Sequence, residues 1–234
     1  MRKMSVSKKQ SIKKVTPKRI SGMELLKSKT ELFQNAINTS LKRDNTKMSN
    51  VETPHRYFEK KVCSILERVF TSDAELMSHF RLSYKKGKKN EYPDFPIIMD
   101  KANNRYAIDV KTFGGKMFNN DILSLRPNDY TGEFLVVIPY DAAQKTVRKS
   151  VKTSIFAEPH LFARRERNTN HVALGGQQYS LRPRSVAKFE RLQPVFRTRE
   201  ELNSALRETI VEKMRTDRRF KSYYTKSVLK STKK

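Results

Sequence analysis

The stretch that decides the fold is residues 91–111, EYPDFPIIMDKANNRYAIDVK. Two mainly apolar runs, 95–100 and 105–110, flank the asparagine-rich segment KANN, a composition typical of a turn. The stretch therefore predicts a β-hairpin. Asp94 precedes the first predicted strand, and Asp109 and Lys111 lie at the end of the second.

Strand geometry predicts that these three polar side chains share one face. Facing residues of an antiparallel pair have a constant index sum, and a turn with an even number of residues makes that sum odd. Asp94 then faces Asp109 or Lys111, while Val110 points the other way into apolar packing. A turn with an odd number of residues and no bulge would break this arrangement.

The pattern favours a magnesium site, although an ordinary hairpin with a surface ion pair remains an alternative at this point. Two carboxylates at close range are costly unless a cation neutralises them, and oxygen ligands with open positions suit Mg²⁺. Such a cation can polarise a phosphodiester and bind the attacking water. A nearby ammonium group stabilises the negative charge that develops in the reaction.

Composition points to a polyanionic partner. The chain has 234 residues and a net charge of +26, from 50 Lys and Arg against 24 Asp and Glu. Nucleic acid is the first candidate. The single cysteine, Cys63, excludes an intrachain disulfide framework. Neither a signal peptide nor an apolar run of about 20 residues is visible, so we expect no membrane partner and a cytoplasmic location.

The chain is expected to form one domain with basic ends. Residues 1–22 and 226–234 predict a flexible basic arm and a basic tail, and residues 23–225 the folded domain. Helices are predicted over 23–37, from Thr53-Pro54 to about Phe70, and from a capping box of Thr198 and Glu201. The run EFLVVIPYD predicts a buried strand. Strands bracketed by helices indicate an α/β or α+β fold.

Several segments resemble the PD-(D/E)xK nucleases and, more narrowly, the EcoRV-type type II restriction endonucleases. They are Tyr92-Pro93-Asp94-Phe95, Ile108-Asp109-Val110-Lys111-Thr112, Phe58-Glu59 and Ile138-Pro139-Tyr140-Asp141. The resemblance covers roughly residues 57–141. It implies a restriction-endonuclease-like core, in which helices flank a central mixed β-sheet, and Mg²⁺-dependent cleavage of double-stranded DNA at specific sequences.

The resemblance also implies roles for individual residues. Asp94 and Asp109 would bind the metal together with the backbone carbonyl of Val110, Lys111 would be the catalytic lysine, and Glu59 would be a supporting catalytic acid. Two loops would face DNA, one at the minor groove and one reading bases, since Gln suits adenine and Arg suits guanine. These DNA-facing residues would be Lys85, Lys86, Lys88, Lys89, Asn90, Gly175, Gly176, Gln177, Gln178, Arg182 and Arg184.

The implied partners are DNA, a second copy of the chain in a homodimer, and a cognate DNA methyltransferase in a prokaryotic cytoplasm. Two other functions remain open. The first is a different PD-(D/E)xK nuclease, such as a Holliday-junction resolvase or a phage or repair nuclease. The second is a non-catalytic basic nucleic-acid-binding protein. Independently of the resemblance, the run Arg164-Arg165-Glu166-Arg167 predicts phosphate contacts.

Overall fold

The computed structural model describes residues 20–51, 53–84, 93–114, 120–121, 130–175, 180–181, 184, 191 and 193–232. The helices are α1 (Gly22–Ser28), α2 (Thr30–Lys42), α3 (Pro54–Ser72), α4 (Ala74–His79), α5 (Val147–Ser150), α6 (Arg199–Thr216) and α7 (Arg218–Thr232). The strands are β1 (Phe80–Ser83), β2 (Ile97–Asp100), β3 (Arg105–Phe113), β4 (Asn120–Asp121), β5 (Gly132–Pro139), β6 (Ile155–Ala157), β7 (Leu174–Gly175) and β8 (Ser180–Leu181).

A mixed sheet of five strands lies at the centre, in the order β1-β2-β3-β5-β6. Strands β3 and β5 are parallel, whereas the other neighbours are antiparallel. The short strands β4, β8 and β7 form a second sheet. The predicted mixed α/β fold, with a central mixed sheet flanked by helices, is therefore confirmed.

The two faces of the central sheet bury different clusters. Every residue of β5 is buried, and alternation sends Val136 towards α2 and α3, where it joins the largest apolar cluster with Val110. Leu135 and Val137 point to the opposite face and pack against β6 and Phe162. Because Asp109 is the register partner of Leu135, it lies on this second face.

Local sequence signals set the starts of α3 and α6. Pro54 occupies the first turn of α3 after Thr53, and Thr198 caps α6 by accepting a hydrogen bond from the Glu201 N–H (3.2 Å). Both predicted helix starts are confirmed. The Glu201 carboxylate, however, accepts from the Arg197 N–H (2.7 Å) and not from the Thr198 N–H expected of a capping box.

The helix predicted over 23–37 begins within one residue of the predicted start, but it is interrupted and ends later than predicted. Two helices, α1 and α2, meet at Lys29, and α2 continues to Lys42 into the segment that was expected to be a linker. The added turns are stabilised by burial of Leu41, whose side chain is inaccessible to solvent.

The ends of the domain also differ from the predicted arm and tail. Ser21 and Glu24 form a capping box that starts α1 at Gly22, so residues 21 and 22 belong to the fold. At the other end α7 extends to Thr232, and the backbone of 226–232 is helical. Residues 1–19 lie outside the described part of the chain.

Among the described residues, no helix has the length and apolar character to cross a membrane.

Candidate active site

The hairpin that carries the site has a shorter turn than the sequence predicted. Ile98 pairs with Tyr106 and Met99 with Arg105, which is an even index sum. The turn has three residues instead of the four of KANN, and Asn103 adopts a left-handed conformation (φ 63°) that closes it. The predicted odd index sum is therefore wrong within the regular ladder.

Before β2 begins, the pairing with β3 nevertheless shifts by one residue, and this shift brings Asp94 close to Asp109. Strand β2 begins only at Ile97, and the preceding residues bend out of it. The Phe95 N–H then donates to the Ile108 carbonyl (3.2 Å), which restores an odd sum. Asp94 is fixed by its own side chain, because its Oδ2 accepts a hydrogen bond from the Val110 N–H (2.8 Å).

Asp109 and Lys111 form a buried ion pair beside Asp94. Lys111 Nζ lies 2.5 Å from Asp109 Oδ2, and the two side chains are 21% and 2% exposed. This Asp109 oxygen has no hydrogen-bond partner of acceptable geometry in the described part of the chain. This oxygen can therefore still accept a hydrogen bond or bind a cation.

The electrostatics of the site depend on burial. Burial raises the pKa of Asp109 to about 7 against the opposing Lys111 ammonium, and the negative charge of Asp94 and a hydrogen bond between the two carboxyl groups add to the rise. Burial lowers the pKa of Lys111, but the Asp109 charge outweighs burial and the pKa is raised overall. Lys111 is therefore an ammonium group at neutral pH. One proton or a cation is needed to stabilise the carboxylate pair.

Helix α3 contacts the site at Asp94. The Cys63 thiol contacts the Asp94 carbonyl oxygen at 3.6 Å. Burial raises the pKa of Cys63 to about 12, and Asp94 contributes, so this thiol is not a thiolate nucleophile. Glu59 lies one turn before Cys63 and acts electrostatically on both Cys63 and Lys111. Its carboxylate also lies 3.7 Å from His55 Nε2.

The residues present fit a hard divalent cation with few protein ligands. The N–H and C=O of one strand residue point to the same edge, so the Val110 carbonyl faces the edge at which its N–H meets Asp94. Two carboxylates, this carbonyl and water molecules suffice for Mg²⁺. No group of three or more His, Cys, Asp or Glu side chains among the described residues is arranged to hold a metal. Glu59 thus stands near the pair without joining it.

The predicted DNA-facing residues fall in different parts of the chain. Lys85, Lys86, Lys88, Lys89, Asn90, Gly176, Gln177, Gln178 and Arg182 lie outside the described residues. Gly175 is the last residue of β7. Arg184 is only 7% exposed, and its guanidinium donates to the Leu161 carbonyl (3.3 Å). In this structure Arg184 serves internal packing, which the sequence did not indicate.

Sequence reasoning missed two features of the site. The contact of Cys63 with Asp94 was not foreseen, although Cys63 follows Glu59 by four residues and so shares its helix face. The side-chain hydrogen bond of Asp94 to the β3 backbone was also missed, because it depends on where the chain leaves the ladder. The four-residue spacing of Glu59 and Cys63 was the signal available for the first feature, whereas the sequence pattern carries none for the second.

Comparison with known proteins identifies no family. No protein-family model matches the chain, and no curated protein matches it significantly.

Proposed function

We propose that the protein is a metal-dependent nuclease that hydrolyses phosphodiester bonds in double-stranded DNA, with Mg²⁺ as its cofactor. The observation that carries the proposal is the convergence of Asp94, Asp109 and Lys111 from separate parts of the hairpin. The acid pair lies in a chain with a net charge of +26. Such a charge favours a polyanionic substrate, which two bare carboxylates would repel.

The cation would supply a Lewis acid for a phosphoryl oxygen and a site for the attacking water. Asp94 and Asp109 would hold it. Asp109 lies on β3, and Asp94 is anchored to the Val110 N–H of the same strand, so the two carboxylates would set the place of the cation relative to the scissile phosphate. Lys111, already an ammonium group, would stabilise the negative charge that develops on the phosphorane oxygens. The negative charge of Glu59 would help to keep Lys111 protonated, although Glu59 would not itself hold the cation.

The finer proposal is a type II restriction endonuclease that acts as a homodimer. It is supported by the specific residues around the hairpin, from Pro93 to Thr112, and by the mixed central sheet that carries them. A dimer with two-fold symmetry would bring one such site to each strand of a palindromic sequence. A resolvase or repair nuclease would use the same three side chains on a different DNA structure.

Plasmid cleavage tests the chemistry. The parent protein is expected to cut supercoiled DNA with Mg²⁺ and not with EDTA. Asp109→Asn and Lys111→Met are expected to cut more than about a hundredfold more slowly. The first variant loses a charged ligand of the cation, and the second loses the ammonium group that stabilises the developing negative charge. Glu212→Gln and Lys42→Met, which change exposed residues outside the site, serve as controls with full activity.

Cleavage that is equal in the parent and Asp109→Asn would contradict the proposed chemistry. Sequencing of the fragment ends separates the finer alternatives. Ends at one recurrent sequence support a restriction endonuclease, and ends that follow branches or damage without a fixed sequence support a resolvase or repair nuclease.

A further inference from the structure

A second candidate site lies outside the acid pair. A cavity of about 680 Å³ opens between the segment 164–174 and helix α6. Its described lining contains four cationic side chains and one carboxylate, and none of the residues of the candidate active site. The cations are Arg164, Arg165, Arg167 and Lys213.

The backbone around this cavity is fixed. Arg165 and Val172 form a β-bridge, and the Ala173 N–H donates to the Arg164 carbonyl (3.2 Å). The Val172 N–H donates to Thr209 Oγ1 on α6 (2.9 Å), one turn before Lys213. The arginine-rich segment is therefore held against the helix that contributes the lysine.

The cationic side chains of the cavity differ in the contacts that they make with the rest of the protein. The Arg165 guanidinium lies over the ring of Phe196, 4.7 Å from its centroid, and donates to the Asn170 carbonyl (3.3 Å). Within the described chain, the side chains of Arg164, Arg167 and Lys213 make neither ion pairs nor hydrogen bonds. These three charges are available to a ligand, whereas Arg165 supports the fold.

We propose that this cavity binds the sugar–phosphate backbone of double-stranded DNA. Three available cationic side chains on a hydrogen-bonded backbone could each contact a phosphate of the duplex. The described lining offers no aromatic ring on which a base could stack, and its available side chains are the arginine and lysine types that commonly contact phosphates. The contacts would therefore position the duplex without selecting its sequence. The choice of DNA rests on the proposed function, while the site itself is separate from the acid pair.

Binding measured without cleavage tests this inference. Fluorescence anisotropy in EDTA gives the Kd for two labelled duplexes of unrelated sequence over a range of NaCl concentrations. The triple variant Arg164→Gln/Arg167→Gln/Lys213→Gln is compared with Lys42→Gln/Lys47→Gln/Lys145→Gln, which removes equal charge from exposed lysines elsewhere. Thermal denaturation verifies that both are folded, and Arg164→Lys/Arg167→Lys keeps the charges at the site.

The cavity variant is expected to lower the slope of log Kd against log salt by about 2 to 3 on both duplexes, since each lost phosphate contact removes about 0.9. The control variant and the lysine variant are expected to keep nearly the parental slope. Equal slopes in cavity and control variants, weakening on only one duplex, or a parent that binds neither duplex would overturn the inference. Asp109→Asn, titrated alongside, separates the two proposals, because loss of cleavage with an unchanged slope concerns the acid pair alone.

Discussion

At the scale of single residues, Asp109 combines near-complete burial with charged neighbours of both signs. Its side chain is 2% exposed and lies between the Lys111 ammonium and Asp94. A carboxylate in this position is costly without a cation, because burial disfavours its charge more than one ammonium compensates. Without a cation, the Asp94–Asp109 carboxylate pair therefore destabilises the hairpin.

This cost predicts how stability changes with pH in the metal-free protein. The folded state keeps the Asp109 proton up to about pH 7, whereas the unfolded chain releases it near its ordinary value of 3.8. Between these values the folded state binds more protons, so the Asp109 contribution falls as pH rises, by at most about 1.4 kcal/mol per pH unit.

Urea denaturation in EDTA from pH 4 to pH 8 measures the effect. The stability of the parent relative to Asp109→Asn should decline as pH rises across this range. The matched substitution Glu212→Gln should show no such trend. A difference between the parent and Asp109→Asn that is constant with pH would show that Asp109 is ionised throughout.

At the scale of elements, Asp44 joins helices α2, α3 and α5. Its carboxylate accepts hydrogen bonds from Tyr57 Oη (2.7 Å) and the Thr46 N–H (3.0 Å), and pairs with Lys61 Nζ (2.9 Å). Its carbonyl accepts from the Arg148 N–H in α5 (2.9 Å). A single residue after α2 thus sets how α3 packs beside the sheet, and α3 carries Cys63 and Glu59 to the site.

Asp44→Asn is expected to lower the free energy of unfolding by about 2 to 4 kcal/mol at pH 7, because it removes the charge of a buried carboxylate that accepts several hydrogen bonds. Burial raises the pKa of this carboxyl group, but hydrogen bonds from Tyr57, Lys61 and Thr46 outweigh burial and hold the pKa below its usual range. The stability it provides is present above its unfolded pKa and is lost as pH falls. Denaturation at pH 7 and pH 3 should show a smaller cost at pH 3, and equal costs would contradict this role.

The hairpin shows what a sequence pattern can and cannot predict about elements. The apolar runs located both strands and predicted the burial of Val110, because alternation is a local property, although β2 begins at Ile97 and β3 continues to Phe113. The turn length was wrong, since KANN accommodates three or four residues and the left-handed Asn103 decides between them. Asp94 reaches Asp109 through a shift outside the ladder, which depends on tertiary packing and has no counterpart in the sequence.

At the scale of the whole molecule, one buried ion pair connects helix α6 to the central sheet. Glu133, at the start of β5, pairs with Arg199, the first residue of α6. The Glu133 side chain is inaccessible to solvent, and Arg199 is 16% exposed. This contact holds α6, and with it the second apolar cluster around Phe196, against the sheet that carries the acid pair.

A double-mutant cycle on this pair tests the connection. Arg199→Met is expected to cost about 3 kcal/mol because it removes a cation from beside the buried Glu133 carboxylate. Adding Glu133→Gln to that variant should cost much less than Glu133→Gln alone. Urea denaturation of the four proteins measures the coupling. Strictly additive costs would contradict a stabilising interaction between Glu133 and Arg199.

Binding of a divalent cation by Asp94 and Asp109 is the most direct test of the proposed nuclease site. Mn²⁺, which occupies Mg²⁺ sites, can be titrated into the protein while electron paramagnetic resonance records the free ion. We predict that the parent binds Mn²⁺ and that Asp94→Asn and Asp109→Asn each lose this binding, while Glu212→Gln retains it. Equal Mn²⁺ binding in the parent and both aspartate variants, or no binding in the parent, would contradict the account.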